Sequence, residues 1–139
     1  MTTALDTNVL IALWGEEHEF NADARQALNA ALGRGSLAIS APVYAELLAG
    51  PGRDEAFLDR FLSDTGITVE WELGEAVWRK AGQAFHNYAA RRRKQGHWGP
   101  RRILVDFLIG AHALSKGYRL LTFDAGLYRR TFPSLILAC

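Results

Sequence analysis

The sequence predicts an α/β protein: a three-layer α/β/α domain around a mainly parallel central sheet of four to five short strands. Short apolar stretches that suit buried strands alternate along the chain with longer stretches of helical periodicity, the pattern of strand, crossover helix, strand. The strand candidates are apolar on consecutive residues, as in Leu37-Ala38-Ile39, which suits a sheet covered on both faces. Two of them lead into an aspartate, Asp6 and Asp124, where the chain turns toward a helix.

Residues 2–5 read as a buried strand closed by Asp6, followed by an apolar helical turn from Asn8 to Trp14 and a polar loop from Gly15 to Glu19. Asn21 is placed to cap a second helix through Leu32, because a side-chain oxygen there can accept from an unpaired backbone N–H. Gly33 and Gly35 end that helix, and Ser36 to Ser40 is the second strand. Pro42 suits the first turn of a third helix, which Gly50-Pro51-Gly52 ends; a fourth runs from Asp54 to Ser63, and Ile67 to Glu70 is the third strand. Leu73, Val77, Ala81, Ala84, Phe85, Tyr88 and Ala89 recur at helical spacing. Glu75 near the start and Arg91-Arg92-Arg93-Lys94 at the end match the helix dipole, and this is expected to be the longest helix. After the loop 95–102, Ile103 to Lys116 is apolar on nearly every side and reads as a central helix with Gly117 as its C-cap. Arg119 to Phe123 and Leu135 to Leu137 supply the last strands, joined by a short helix or turn at Ala125 to Arg130.

A chain of 139 residues, 49% of them hydrophobic, fits one domain over residues 1–139 that buries about two-thirds of its unfolded surface. Its 16 Lys and Arg against 15 Asp and Glu give a net charge of +1, so any attraction for nucleic acid must be local. The single cysteine, Cys139, excludes an intramolecular disulfide and a cysteine-rich zinc module and fits a reducing, cytoplasmic setting. The apolar run from Val9 to Leu13 is far too short to span a membrane, and no membrane association is expected.

The chemistry lies in four acids, Asp6, Glu46, Asp106 and Asp124, each set in a stretch that otherwise reads as core. Asp6 closes a strand where parallel sheets bind ligands. Glu46 shares a helix face with Val43 and Leu47, and Asp106 sits in the first turn of the central helix, where the dipole favours negative charge. Gathered together, these carboxylates would resist ionisation unless a divalent cation or a basic partner compensated them. Hard oxygen ligands suit Mg²⁺ or Mn²⁺, and the reaction that most naturally needs such a site is phosphodiester hydrolysis. His86 and His112 lie on apolar helices without metal-ligand spacing and read as structural; Trp14, Trp71 and Trp78 read as core or interface. An aspartyl-nucleophile phosphatase also closes its first strand on Asp, but it needs a second Asp two residues later, where this chain has Asn8. Arg91, Arg92, Arg93, Lys94, Arg101 and Arg102 either form a solvated helix end or contact phosphate. His97 and Trp98 either stack on unpaired bases or pack on protein.

Leu5-Asp6-Thr7-Asn8-Val9-Leu10-Ile11 at the start, Glu46 mid-chain, Asp106 opening an apolar helix and Leu120-Leu121-Thr122-Phe123-Asp124-Ala125 near the end together resemble a PIN domain, in particular the VapC-like ribonuclease toxins of prokaryotic toxin–antitoxin pairs. The resemblance spans the chain. It implies Mg²⁺- or Mn²⁺-dependent endonucleolytic cleavage of RNA by a metal-activated water, leaving a 5′-phosphate and a 3′-hydroxyl. It also implies a homodimer and a cognate antitoxin that blocks the site, with operator DNA reached only through that antitoxin. Carried over, Asp6, Glu46, Asp106 and Asp124 are the catalytic acids, Asp6, Asp106 and Asp124 the metal ligands, and Asn8 and Thr122 polar supports. Many relatives have a further acid or Asn after the last Asp, whereas Ala125-Gly126-Leu127-Tyr128-Arg129 follows here, which favours a one-metal over a two-metal site. A non-catalytic PIN-like module acting through a protein or RNA partner is the alternative, and metal-dependent RNA hydrolysis separates the two.

Overall fold

The structure, a computed structural model, describes residues 1–97 and 104–138. Strands β1 (Thr2–Leu5), β2 (Ser36–Ser40), β3 (Thr68–Glu70), β4 (Arg119–Leu121) and β5 (Leu137–Ala138) form one sheet in the order β3-β2-β1-β4-β5. All four pairings are parallel, because every link between successive strands passes through helix. The helices among the described residues are α1 (Thr7–Trp14), α2 (Asn21–Arg34), α3 (Ala41–Leu48), α4 (Glu55–Thr65), α5 (Glu75–Lys94), α6 (Leu104–Lys116) and α7 (Ala125–Thr131). Thr3, Ala4 and Leu5 are all buried, as are Leu37 to Ser40. Neighbouring strand residues point to opposite faces, so both faces of the sheet are covered, as the three-layer prediction requires. Among the described residues, no helix is long and apolar enough to cross a membrane.

From β1 the chain builds outward through β2 and β3, then returns to place β4 on the other side of β1. Strand order therefore reverses between β1 and β4, and open parallel sheets bind ligands beyond the carboxyl ends of strands at such a reversal. Helix α6 is central, as expected: Phe107 to Ala113 are buried without interruption. Gly110 makes this packing possible, since a Cβ there would lie 2.4 Å from Cε2 of Phe132 and 3.1 Å from Cδ1 of Tyr128. Gly117, at φ 72°, ends α6 and lets the Tyr118 N–H reach the Ala113 carbonyl at 2.9 Å.

His112 is 1% exposed and bonds Glu70 Oε1 at 2.7 Å, while the Tyr118 hydroxyl donates to Glu70 Oε2 at 2.6 Å. Burial raises the Glu70 carboxyl, but the bonds from Tyr118 and His112 outweigh it and hold the group below its ordinary value. The same bond to Glu70, with burial, pushes Tyr118 up to about 12. Glu70 thus fastens edge strand β3 to the central helix. Glu70→Ala is expected to lower stability by about 2 kcal/mol, read from urea unfolding, because His112 would keep a buried nitrogen without its partner.

Several expectations are corrected. Asn21 does not cap α2; it is that helix's first residue, and its Nδ2 donates instead to the Ala12 and Leu13 carbonyls at 2.9 and 3.0 Å. Those carbonyls lie in the last turn of α1, so Asn21 satisfies a neighbour's C-terminus and ties α2 to it. Strand β4 stops at Leu121 because Thr122 turns the chain, its Oγ1 accepting from the Asp124 N–H at 2.9 Å. Asp124 therefore stands at the N-cap position of α7 and does not end a strand. Strand β5 begins at Leu137 because the Leu135 N–H is used in a turn onto Phe132. Of the core and interface readings for Trp71 and Trp78, exposures of 60% and 52% exclude the core one, and His86 is exposed on α5. The predicted start of α6 at Ile103, together with Trp98, Arg101, Arg102 and Cys139, lies outside the described residues.

Candidate active site

Asp6 follows the carboxyl end of β1, at the strand-order reversal. Its N–H donates to the Leu121 carbonyl at 2.9 Å, extending the β1–β4 pairing by one residue. It holds the N-cap position of α1, yet its side chain makes no capping bond. Instead, Oδ2 accepts from Thr122 Oγ1 at 2.8 Å and from the Tyr128 hydroxyl at 3.1 Å. The residue is 5% exposed. Burial raises its pKa to about 6, against the lowering effect of the Thr122, Tyr128 and Thr7 backbone bonds, and the charge of Asp106 adds to the rise.

Tyr128 is the residue that sequence reasoning missed. Burial and then the charges of Asp6, Asp106 and Asp124 drive its hydroxyl strongly upward, so three aspartates from three elements act on one buried phenol. The available signal was its position four residues after Asp124, one turn along α7. Glu46 is half-buried on α3, and its Oε1 accepts from Thr7 Oγ1 at 2.5 Å, next in sequence to Asp6. Asn8 accepts the Phe123 N–H at 3.3 Å and so ties α1 to the turn after β4. The structure thus brings Asp6, Asp106, Asp124, Thr122 and Tyr128 into one electrostatic unit, with Glu46 joined to it through Thr7.

Among the described residues, no three His, Cys, Asp or Glu side chains converge closely enough to hold a metal ion by themselves. The donor chemistry still fits Mg²⁺ or Mn²⁺: hard carboxylate oxygens, one of them buried and reluctant to ionise in the absence of positive charge. Mg²⁺ commonly takes one or two carboxylates and keeps several waters and substrate phosphates, so a closed cage is not required.

The electrostatics predict a pH dependence. The folded-state value of Asp6, about 6, lies above its ordinary 3.8, so folding favours the protonated form. This contribution to stability is fully present below the unfolded value and is lost as pH rises through the folded one. The difference corresponds to about 3 kcal/mol. In urea unfolding without metal, wild type is expected to lose about that much relative to Asp6→Asn between about pH 4 and about pH 7. Parallel curves would show that Asp6 carries no such penalty.

Beside the acids lies a basic cleft of about 280 Å³ between the end of α5 and α7, lined by Arg91, Arg92, His97 and Arg130 with Tyr88, Gln95, Leu127 and Thr131. Arg93 and Lys94 do not line it. It is close to the acids: Leu127 precedes Tyr128, and the Tyr88 ring packs on Phe107, next to Asp106, with centroids 5.4 Å apart.

Comparison with known proteins gives a consistent picture. The family model for the PIN domain matches residues 3–133. Among solved structures, the chain is similar to VapBC-1 from nontypeable Haemophilus influenzae, with 25% identity and a TM-score of 0.64 over 99% of this chain and 96% of that one. It is also similar to VapBC2 from Rickettsia felis bound to a DNA fragment from their promoter, with 23% identity and a TM-score of 0.63 over 99% and 97%. A toxin–antitoxin complex from Klebsiella pneumoniae gives 19% identity and a TM-score of 0.67 over 99% and 98%. No curated protein matches the sequence.

Proposed function

Because this chain belongs to the PIN domain family, whose members are generally nucleases, we propose that it is a metal-dependent endoribonuclease and the toxin of a type II toxin–antitoxin pair. The observation that carries the reading is Asp6: a carboxylate buried at the strand-order reversal, held by two hydroxyls and raised toward neutrality by its surroundings. The toxin role is supported by the likeness to toxin–antitoxin complexes over nearly the full length of each chain. A cognate antitoxin that blocks the site, a homodimer, contact with operator DNA through the antitoxin alone and a cytoplasmic location belong to the same reading.

Thr122 and Tyr128 fix the orientation of the Asp6 carboxylate, so its lone pairs are aimed before substrate arrives. Thr7 does the same for Glu46. In this reading Asp6, Asp106 and Asp124 would hold the cation, with waters and substrate phosphate completing its shell, and Glu46, bonded to Thr7 beside Asp6, would orient a water. Mg²⁺ or Mn²⁺ bound there would neutralise a phosphodiester and lower the pKa of water. Asp6 is buried while Glu46, Asp106 and Asp124 are half-buried, and Arg91 and Arg130 offer positive charge to flanking phosphates.

The test is incubation of total cellular RNA with purified protein and Mg²⁺ or Mn²⁺. Discrete fragments are expected, and they should vanish with EDTA and in Asp106→Asn. Intact RNA from folded, antitoxin-free wild type would favour the non-catalytic binding module.

A further inference from the structure

We propose that Phe20 and Phe123 form a stacking platform for one unpaired nucleobase next to the scissile phosphate, a subsite that rests on the ribonuclease reading and extends it. An open cleft of about 460 Å³ lies at the mouth of the acidic site, lined by Asn8 and Asp124 together with His18, Glu19, Phe20 and Phe123. The two phenyl rings stack with centroids 5.2 Å apart and planes 29° from parallel, and the His18 ring lies 5.9 Å from Phe20. Phe20 is 38% exposed, so a large aromatic surface meets water beside a set of carboxylates.

Both rings are held in place by their backbones. Phe20 stands at the N-cap of α2, its N–H donating to His18 Nδ1 at 3.1 Å and its carbonyl accepting from Ala24 at 2.8 Å. Phe123 is fixed by its N–H to Asn8, so the platform is built directly onto the turn that carries Thr122 and Asp124. Charge decides the occupant. Among the described residues, the cleft is lined by Glu19 and Asp124 and by no Lys or Arg, which repels a phosphate but accepts a neutral base. A base offers a π-face to the rings and N–H groups at its edge for Glu19 to accept. The sugar–phosphate chain has Arg91 and Arg130 in the separate basic cleft. Stacking on aromatic side chains is how proteins commonly take hold of single-stranded RNA.

The test uses the full chain in an Asp6→Asn background with Mg²⁺, where cleavage is removed, and short single-stranded oligoribonucleotides with 2-aminopurine placed at one position at a time. Binding is expected to quench the fluorophore at one position. Phe20→Leu, which keeps apolar bulk without a π-face, should abolish that quench and weaken binding by about 5- to 150-fold, the equivalent of one stacked base. Phe20→Trp should restore both, and circular dichroism establishes that each variant is folded. Absence of quenching in the parent, as expected if a protein partner and not a base covers the platform, overturns the proposal. So does Phe20→Leu binding and quenching like the parent. Failure of wild type to cut RNA would instead remove the ribonuclease reading, independently of the fluorescence.

Discussion

Replacing Asp6 with asparagine is expected to lower RNA cleavage by about a thousandfold or more, while the protein becomes no less stable at neutral pH. The two effects have one cause. Asparagine keeps nearly the same shape and still presents an oxygen to Thr122 and Tyr128, so the packing around β1 survives. What disappears is a buried negative charge that is costly to the fold and that the proposed cation would need. Single-turnover cleavage with saturating Mg²⁺, set beside urea unfolding of the same samples, tests both halves. Cleavage within tenfold of wild type would remove Asp6 from the chemistry, and a sharp loss of stability would mean that its charge supports the fold.

Tyr128→Phe is expected to reduce cleavage by about 10- to 100-fold, the range found for groups that orient a metal-binding carboxylate. The ring is 1% exposed and packed against Gly110, so phenylalanine fits the same space and the loss is confined to one hydroxyl. That hydroxyl lowers the pKa of Asp6. Removing it should move the acidic limb of the cleavage profile to higher pH and raise the Mg²⁺ concentration needed for half-maximal rate. An unchanged profile and metal requirement would reduce Tyr128 to a packing residue.

What was legible in the sequence was whatever local pattern dictates. Strands β1 and β2, helices α5 and α6 and the parallel order follow from apolar runs and helical periodicity, and Gly117 ends α6 because little else tolerates its backbone geometry. Where one side chain had two possible jobs, local pattern misled. Asn21 looks like a cap for the helix it begins, but its amide serves the helix before it. Leu135 looks like strand, yet its N–H closes a turn. The four candidate acids stand out in the sequence because carboxylates are conspicuous in apolar surroundings. Tyr128 was hidden because a tyrosine in a short helix reads as packing, and it is indeed buried. Its spacing from Asp124 hints at a place near the acids, and its bond to a residue 122 positions away adds a contact that no local pattern carries.

That separation also bears on how the protein is made. Thr122 and Tyr128 follow Asp6 by 116 and 122 residues. At about 5–20 residues per second, a ribosome needs about 6 to 24 seconds after adding Asp6 to supply them. Throughout that interval the nascent chain holds Asp6 without either hydroxyl and β1 without its β4 neighbour. The β1–β4 pairing and both hydroxyl bonds to Asp6 therefore form only after the segment carrying Thr122 and Tyr128 has emerged and folded back onto the first strand.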